Sequence, residues 1–374
     1  MRPLVFLLAL FLPLALGAKP RARDLGVPFD GRPGALNAIT DVAGVEVGHT
    51  TLIHGEGKLV AGTGPVRTGV TVIFPRGRAN HAPVFGGWFS LNGNGEMTGT
   101  AWLDEAGILD GPVGLTNTHS VGVVRDAIIQ WQVRHAAKPE IWWSLPVVAE
   151  TWDGWLNDIN GFHVKPEHVF AALDSAAGGP VAEGSVGGGT GMICHEFKGG
   201  IGTASRVTAA GHTVGVLVQA NYGLRGQLRI AGAPVGREIP EGALRPAETG
   251  SIIVVIATDA PVLPHQLKRL ARRASLGLGR MGSVSGDGSG DIFLAFSTAN
   301  AVPATRGQPG TVQMMNTEDL NLLFTGVVEA TEEAIVNALV AAEDMTGVEG
   351  RGIKALPHDR LRAVLKKYGR LAGP

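Results

Sequence analysis

Apolar residues gather along this chain in short runs, some continuous and some spaced at helical intervals. The stretch Ile252-Ile253-Val254-Val255-Ile256-Ala257-Thr258-Asp259 is β-branched and apolar without alternation, the pattern of a strand buried on both faces. Residues 213–221 form a second continuous run that ends in polar residues. Residues 39–50 and 66–75 also read as strands, the latter closed by Pro75, which cannot continue a ladder. Residues 83–90 and 113–118 give two more, separated by a Gly-Asn turn cluster at 92–95, and residues 292–298 another. Helical spacing marks residues 121–136, through Val124, Ala127, Ile128, Trp131 and Val133. It recurs at 165–177, opening near Pro166, and at 261–276, whose basic side reads as a solvated face. Residues 100–109 are short and mixed and predict a helix. Residues 320–345 are long enough for one helix or two, with Glu329, Glu332 and Glu333 near the start of the second. Strands and helices mix throughout, so the chain is α/β, with helices covering sheet layers. No repeat or linker divides it.

Composition narrows the field. The 374 residues permit one large domain or two. Hydrophobic residues at 44% and charged residues at 17% describe a globular core. A net charge of −1 gives no electrostatic case for nucleic acid. The 55 glycines follow no collagen-like period, so they imply tight turns and close backbone approaches. Residues 1–18 read as a secretory signal: Arg2, an apolar centre, then small residues Ala15, Gly17 and Ala18. At about 13 residues the apolar centre is short for a membrane span, and cleavage after Gly17 fits best. The mature chain, from about residue 19 to 374, is expected to be soluble and either secreted or periplasmic, with no membrane contact once the signal is gone. The single cysteine, Cys194, allows no internal disulfide. Residues 19–36 are polar and predict an extended arm.

Candidate chemistry centres on the junction Arg245-Pro246-Ala247-Glu248-Thr249-Gly250-Ser251, a polar loop that feeds directly into the apolar strand. One hydroxyl, on Ser251, therefore sits at a rigid edge of the core, behind a glycine with an unhindered carbonyl. Such a serine could attack the peptide bond before it, passing through an ester that water hydrolyses. Ser251 would then be a new N-terminus whose α-amine, with a pKa near ~8, serves as its base. A plain loop entering a strand is the alternative reading of the same residues. Asn221 closes a strand, where an amide can donate to a developing oxyanion or simply cap the turn before Gly223. Ser289 and Asp291 lie in the segment Gly286-Asp287-Gly288-Ser289-Gly290-Asp291. From one turn they could orient a hydroxyl and an amine, or form Asx hydrogen bonds or a weak calcium loop. Glu150 follows an apolar stretch and is expected to be partly buried. Cys194 and His195 are adjacent, so in a strand they point apart, and an inert buried thiol follows. Histidine and cysteine spacings give no metal site. The glycines at 187–191 have neither dinucleotide nor Walker spacing.

Several blocks then combine into a resemblance. Ile39-Thr40-Asp41-Val42-Ala43-Gly44-Val45-Glu46-Val47-Gly48-His49, the run from Asn92 to Gly99, and Leu115-Thr116-Asn117-Thr118-His119-Ser120-Val121-Gly122 are among them. So are Pro146-Val147-Val148-Ala149-Glu150-Thr151, residues 183–206 and the junction at 245–251. Spanning about residues 37–350 in family order, they resemble the L-aminopeptidase/D-esterase and β-peptidyl aminopeptidase family of self-cleaving N-terminal serine hydrolases. The resemblance implies a four-layer α-β-β-α sandwich in a single large domain, cleaved between Gly250 and Ser251. It implies Ser251 as nucleophile, Asn221 as the oxyanion residue, Ser289 and Asp291 beside the nucleophile, and Glu150 near the substrate's free amine. No cofactor is implied, and the expected assembly is a homotetramer of processed protomers. The expected activity is a serine aminopeptidase on small peptides, amides or esters. Trp152 stands where the family pattern leads one to expect a tyrosine, and it cannot donate a hydroxyl hydrogen bond. The rival from another class is an exported, unprocessed binding protein on the same fold.

Overall fold

The structure is a computed structural model that describes residues 19–244, 249–303 and 308–372. The expected signal at 1–18 and the first four junction residues, 245–248, lie outside them. The strands of the two main sheets, in chain order, are β1 (Glu46–His54), β2 (Val66–Phe74), β3 (Val84–Ser90), β4 (Ile108–Leu109) and β5 (Val113–Asn117). They continue with β6 (Val148–Thr151), β7 (Gly200–Val207), β8 (Thr213–Asn221), β9 (Thr249–Thr258) and β10 (Gly288–Ser297). Helices longer than one turn are α1 (Thr100–Ala106), α2 (Val121–His135), α3 (Pro166–Asp174), α4 (Pro264–Arg280), α5 (Leu320–Ala341) and α6 (His358–Lys367).

A four-stranded sheet runs β1-β2-β5-β6 and a six-stranded sheet runs β4-β3-β10-β9-β8-β7. The pairs β5–β6 and β9–β10 are parallel, the others antiparallel. The unalternating sequence of β9 has a direct explanation. Ile252, Val254 and Ile256 enter a core shared with α4 and α5, while Ile253, Val255 and Ala257 enter the core between the sheets. Both faces of the strand are thus buried, so its apolar run shows no alternation. A third core packs Val70, Val72, Val124, Ile128, Val169 and Leu173 between the smaller sheet and helices α2 and α3. Helix, sheet, sheet and helix follow one another, the four-layer sandwich in one domain.

Several local expectations are corrected. Residues 39–41 form a 3-10 turn rather than the start of a strand, because the Asp41 carboxylate accepts the Leu36 and Ala38 N–H groups at 2.9 and 3.1 Å. This carboxylate bonding competes with strand pairing and delays β1 to Glu46. Ser289 and Asp291 belong to β10 rather than to a turn before it. Residues 320–341 form a single helix, which contains Glu329, Glu332 and Glu333. Strand β7 has a weak sequence signal, being rich in glycine and polar residues. The arm at 19–36 contains a 3-10 turn and is pinned to the body, with Arg21 paired to Glu183 at 2.8 Å and Arg23 to Glu333 at 2.7 Å.

Candidate active site

Strand β9 carries Ser251 to the point where three strands meet. In register, Ser251 lies opposite Asn221 of β8 and opposite Gly290 of β10. The same parallel register puts Ser289 beside Gly250 and Asp291 beside Ile252, so the two polar residues bracket the serine. The Ser289 hydroxyl donates to Asp291 Oδ1 at 2.7 Å, and both residues are fully buried.

Glycine precedes the serine for a steric reason. A β-carbon at position 250 would collide with the Asn221 carbonyl oxygen and stand 2.9 Å from Tyr222 Cα. Both obstacles are backbone, and backbone in a sheet has little room to retreat. Glycine is needed at 290 as well, since a β-carbon there would meet the Asn94 carbonyl oxygen and Gly95 Cα, the latter at 2.9 Å. The Gly-Asn turn therefore lies directly on β10 beside Ser251. Two asparagines hold it: Asn92 Nδ2 donates to the Ser285 and Gly286 carbonyls at 2.6 and 3.0 Å, and Asn94 Nδ2 to the Gly288 carbonyl at 2.9 Å.

Ser251, Gly250 and Gly288 line one side of a cavity of about 630 Å³, and Glu150, Thr118 and Trp152 line the side supplied by the smaller sheet. Ser251 and Glu150, remote in sequence, thus look into one space. Glu150 is 3% exposed. Its Oε1 accepts the Glu96 N–H at 2.9 Å, and its Oε2 accepts the Thr118 hydroxyl at 2.5 Å. Burial pushes its carboxyl above the usual range despite those two donors. Among the described residues no lysine or arginine pairs with it, so the site holds a desolvated acid facing an open cavity. Trp152 is 44% exposed. Its indole folds back over Gly154, where a β-carbon would stand 2.6 Å from the ring. Sequence reading missed Thr118, Asn92 and Asn94, because their importance arises only when the two sheets stack.

Asn221 is 1% exposed and its amide orientation is fixed from both ends. Oδ1 accepts the Ile193 N–H at 2.8 Å, and Nδ2 donates to the Trp152 carbonyl at 2.9 Å. An amide nitrogen carries two hydrogens, so one bond to Trp152 leaves a second for another acceptor. The His195 Nδ1 lies 3.1 Å from the Leu224 carbonyl oxygen. Cys194 ends a two-residue strand, and His195 with Glu196 makes the turn that follows, at φ +47° and +58°. The His195 ring packs edge-on against Tyr222 at 5.0 Å. Among the described residues no group of three or more His, Cys, Asp or Glu is arranged to hold a metal ion.

The profile of peptidase family S58 matches residues 37–353, most of the chain. The chain belongs to peptidase family S58. Two relatives described as β-peptidyl aminopeptidases agree with this. One, from Sphingosinicella microcystinivorans, is 60% identical and matches over 94% of this chain and 93% of its own. The other, from Sphingosinicella xenopeptidilytica, is 54% identical over 93% and 92%. Among solved structures, the Burkholderia sp. β-aminopeptidase superposes with a TM-score of 0.86 at 55% identity, over 94% of this chain and 99% of that one. The L-aminopeptidase D-Ala-esterase/amidase of Ochrobactrum anthropi superposes with a TM-score of 0.89 at 52% identity, over 95% and 100%. That protein is described as a prototype of the serine aminopeptidases and a variant of the Ntn hydrolase fold. This S58 chain accordingly has the Ntn hydrolase-type sandwich and is an aminopeptidase, a hydrolase of peptide or amide substrates.

Proposed function

We propose that this chain is an exported serine aminopeptidase that activates itself by cutting between Gly250 and Ser251. The Ser251 oxygen attacks the Gly250 carbonyl carbon. The C–O bond forms, the C–N bond breaks, and the hydroxyl proton passes to the departing nitrogen. Water then hydrolyses the ester, leaving a carboxylate on Gly250 and a free amine on Ser251. In turnover that amine takes the hydroxyl proton as Ser251 attacks the substrate's acyl carbon, and later returns it to the leaving group. Asn221 donates its second Nδ2 hydrogen to the oxyanion, and Asp291 with Ser289 orients the amine and stabilises its charge. Processed chains assemble as a homotetramer.

The observation that carries this reading is the cavity shared by Ser251 and the buried Glu150, which pairs with no lysine or arginine among the described residues. A desolvated carboxylate facing a cavity favours a ligand that brings a positive charge, which is what the free amine of an N-terminus provides. The volume of about 630 Å³ leaves room for an acyl residue with an extra backbone methylene, and the description of two relatives as β-peptidyl aminopeptidases supports β-residues as substrates here. Steady-state kinetics on β-alanine p-nitroanilide, alanine p-nitroanilide and their N-acetyl forms test the assignment. Turnover of the free-amine pair and rejection of the acetylated pair is the expected result. Equal rates on free and acetylated substrates would remove Glu150 from the site.

A further inference from the structure

Lys198 has no exposed surface, and no carboxylate is bonded to its ammonium among the described residues. Nζ donates to the Met192 and Gly199 carbonyls, both at 2.9 Å, and approaches the Gly189 carbonyl at 3.5 Å. Burying a cation among carbonyls alone is costly, and an apolar side chain of the same length would fill the volume without that cost. The arrangement calls for a use.

The Met192 carbonyl and the Ile193 N–H belong to one peptide unit. Lys198 holds its oxygen at 2.9 Å, and its N–H donates to Asn221 Oδ1 at 2.8 Å. The Asn221 amide in turn donates through Nδ2 to the Trp152 carbonyl at 2.9 Å, and Asn221 is the register partner of Ser251. The groups form one continuous chain: ammonium, peptide, side-chain amide. A positive charge at one end polarises each successive bond in the same direction, so that every donor along the chain is strengthened. The glycine turn that supplies the Gly189 carbonyl is rigid as well, since β-carbons at 188 and 189 would strike Gln219 and the backbone at 200–201. The chain cannot easily relax into another geometry.

We propose that Lys198 is a positioning residue whose buried ammonium, acting through the Met192–Ile193 peptide, aims and polarises the Asn221 amide as an oxyanion donor. This rests on the assignment of Asn221 made above. Burial brings the ammonium down to about 7, an effect that Lys19 adds to and Cys194 opposes, so the charged donor is present below that value and is lost as pH rises through it.

The test compares Lys198→Met, Lys198→Gln, Asn221→Ala and the Lys198→Met/Asn221→Ala double variant. Folding is checked by thermal melting, and self-cleavage rate and kcat and KM on β-alanine p-nitroanilide are measured for each. Lys198→Met should lower kcat and the self-cleavage rate on the order of tenfold with KM little changed, since a weakened oxyanion donor acts on the transition state. Lys198→Gln, which keeps a donor without the charge and serves if the methionine variant does not fold, should show the same direction of change. The double variant should fall no further than Asn221→Ala alone, because the lysine acts through that amide. Parental kcat in the folded lysine variants, or losses that multiply in the double variant, would overturn the proposal. Parental activity in Asn221→Ala would instead overturn the oxyanion assignment itself.

Discussion

Ser251 and Asn221 are register partners at the ends of two adjacent antiparallel strands, β9 and β8. The pairing sets the proposed nucleophile and the proposed amide donor without any loop between them, so their separation is as rigid as the sheet. Because Asn221 is held at both ends of its amide by the Ile193 N–H and the Trp152 carbonyl, its free hydrogen points in one direction before any substrate arrives. A donor that needs no reorganisation during the reaction is the arrangement that contributes most to catalysis.

Replacing Asn221 by alanine should therefore reduce kcat by about 10²–10³-fold, the usual cost of losing one oxyanion donor. Self-cleavage should slow in parallel if the same donor serves both reactions. Single-turnover and steady-state rates on β-alanine p-nitroanilide measure the first, and a timed denaturing gel the second. A loss in KM alone would assign Asn221 to binding.

Gly250→Ala places a methyl group against the Asn221 carbonyl and 2.9 Å from Tyr222 Cα. The scissile carbonyl must shift away from the serine, and self-cleavage should slow by at least about tenfold, since misplacement by an ångström costs that much or more. The fraction of uncut chain over time, read by mass spectrometry, checks this. Parental processing kinetics would show that the junction is free to move.

Glu150→Gln should lower kcat/KM on free-amine substrates by about 10²-fold, while self-cleavage, which involves no substrate amine, proceeds. The pH profile gives an independent check. Burial raises the Glu150 carboxyl, so the charged form that attracts an amine appears only above the ordinary carboxylate range. Activity on free amines should rise with pH through that raised value, and the glutamine variant should lose this limb. The limb set by the Ser251 amine should remain.

Much of this site was legible in the sequence. The unalternating β9 and the Gly250-Ser251 step show at once where a serine is held against a core, and continuous runs end at Asn221. Glu150 was legible only as an acid delivered by an apolar segment. Its Thr118 and Glu96 partners come from separate strands and turns, and nothing local connects them. Ser289 and Asp291 were visible as a pair but not as strand residues, because the glycines around them mask the β pattern until Gly290 is seen packed under the turn at Asn94 and Gly95. The start of β1 was misread because Asp41 turns the chain with its side chain. The hydrogen bonds from Lys198 to Asn221 cross three segments and leave no mark on periodicity.

His49 and Asp153 titrate in opposite senses and give a stability signature. His49 Nε2 is shielded from solvent, and burial lowers its imidazole to about 4. Burial likewise raises the Asp153 carboxyl to about 6, against the hydrogen bonds from Asn117 and Asn157. Between about pH 4 and 6.5 the unfolded chain binds the histidine proton and the folded chain does not, so this contribution to stability grows as pH rises. Between about pH 4 and 6 the folded chain keeps a proton on Asp153 that the unfolded chain has lost, so this contribution falls as pH rises. Each amounts to about 3 kcal/mol, and they largely cancel. Urea midpoints from pH 4 to 6.5 should therefore fall for His49→Gln, rise for Asp153→Asn, and be flatter for the parent. Three parallel curves would show that neither group titrates as its burial requires.

Intact-mass measurement shows whether Ser251 cuts its own chain. Freshly purified protein should resolve into a chain ending at Gly250 and a 124-residue chain beginning at Ser251. Ser251→Ala should give a single uncut chain with no turnover of β-alanine p-nitroanilide. A parent that stays in one piece, as the exported binding protein would, or a Ser251→Ala variant that is cut efficiently after Gly250, would contradict the account.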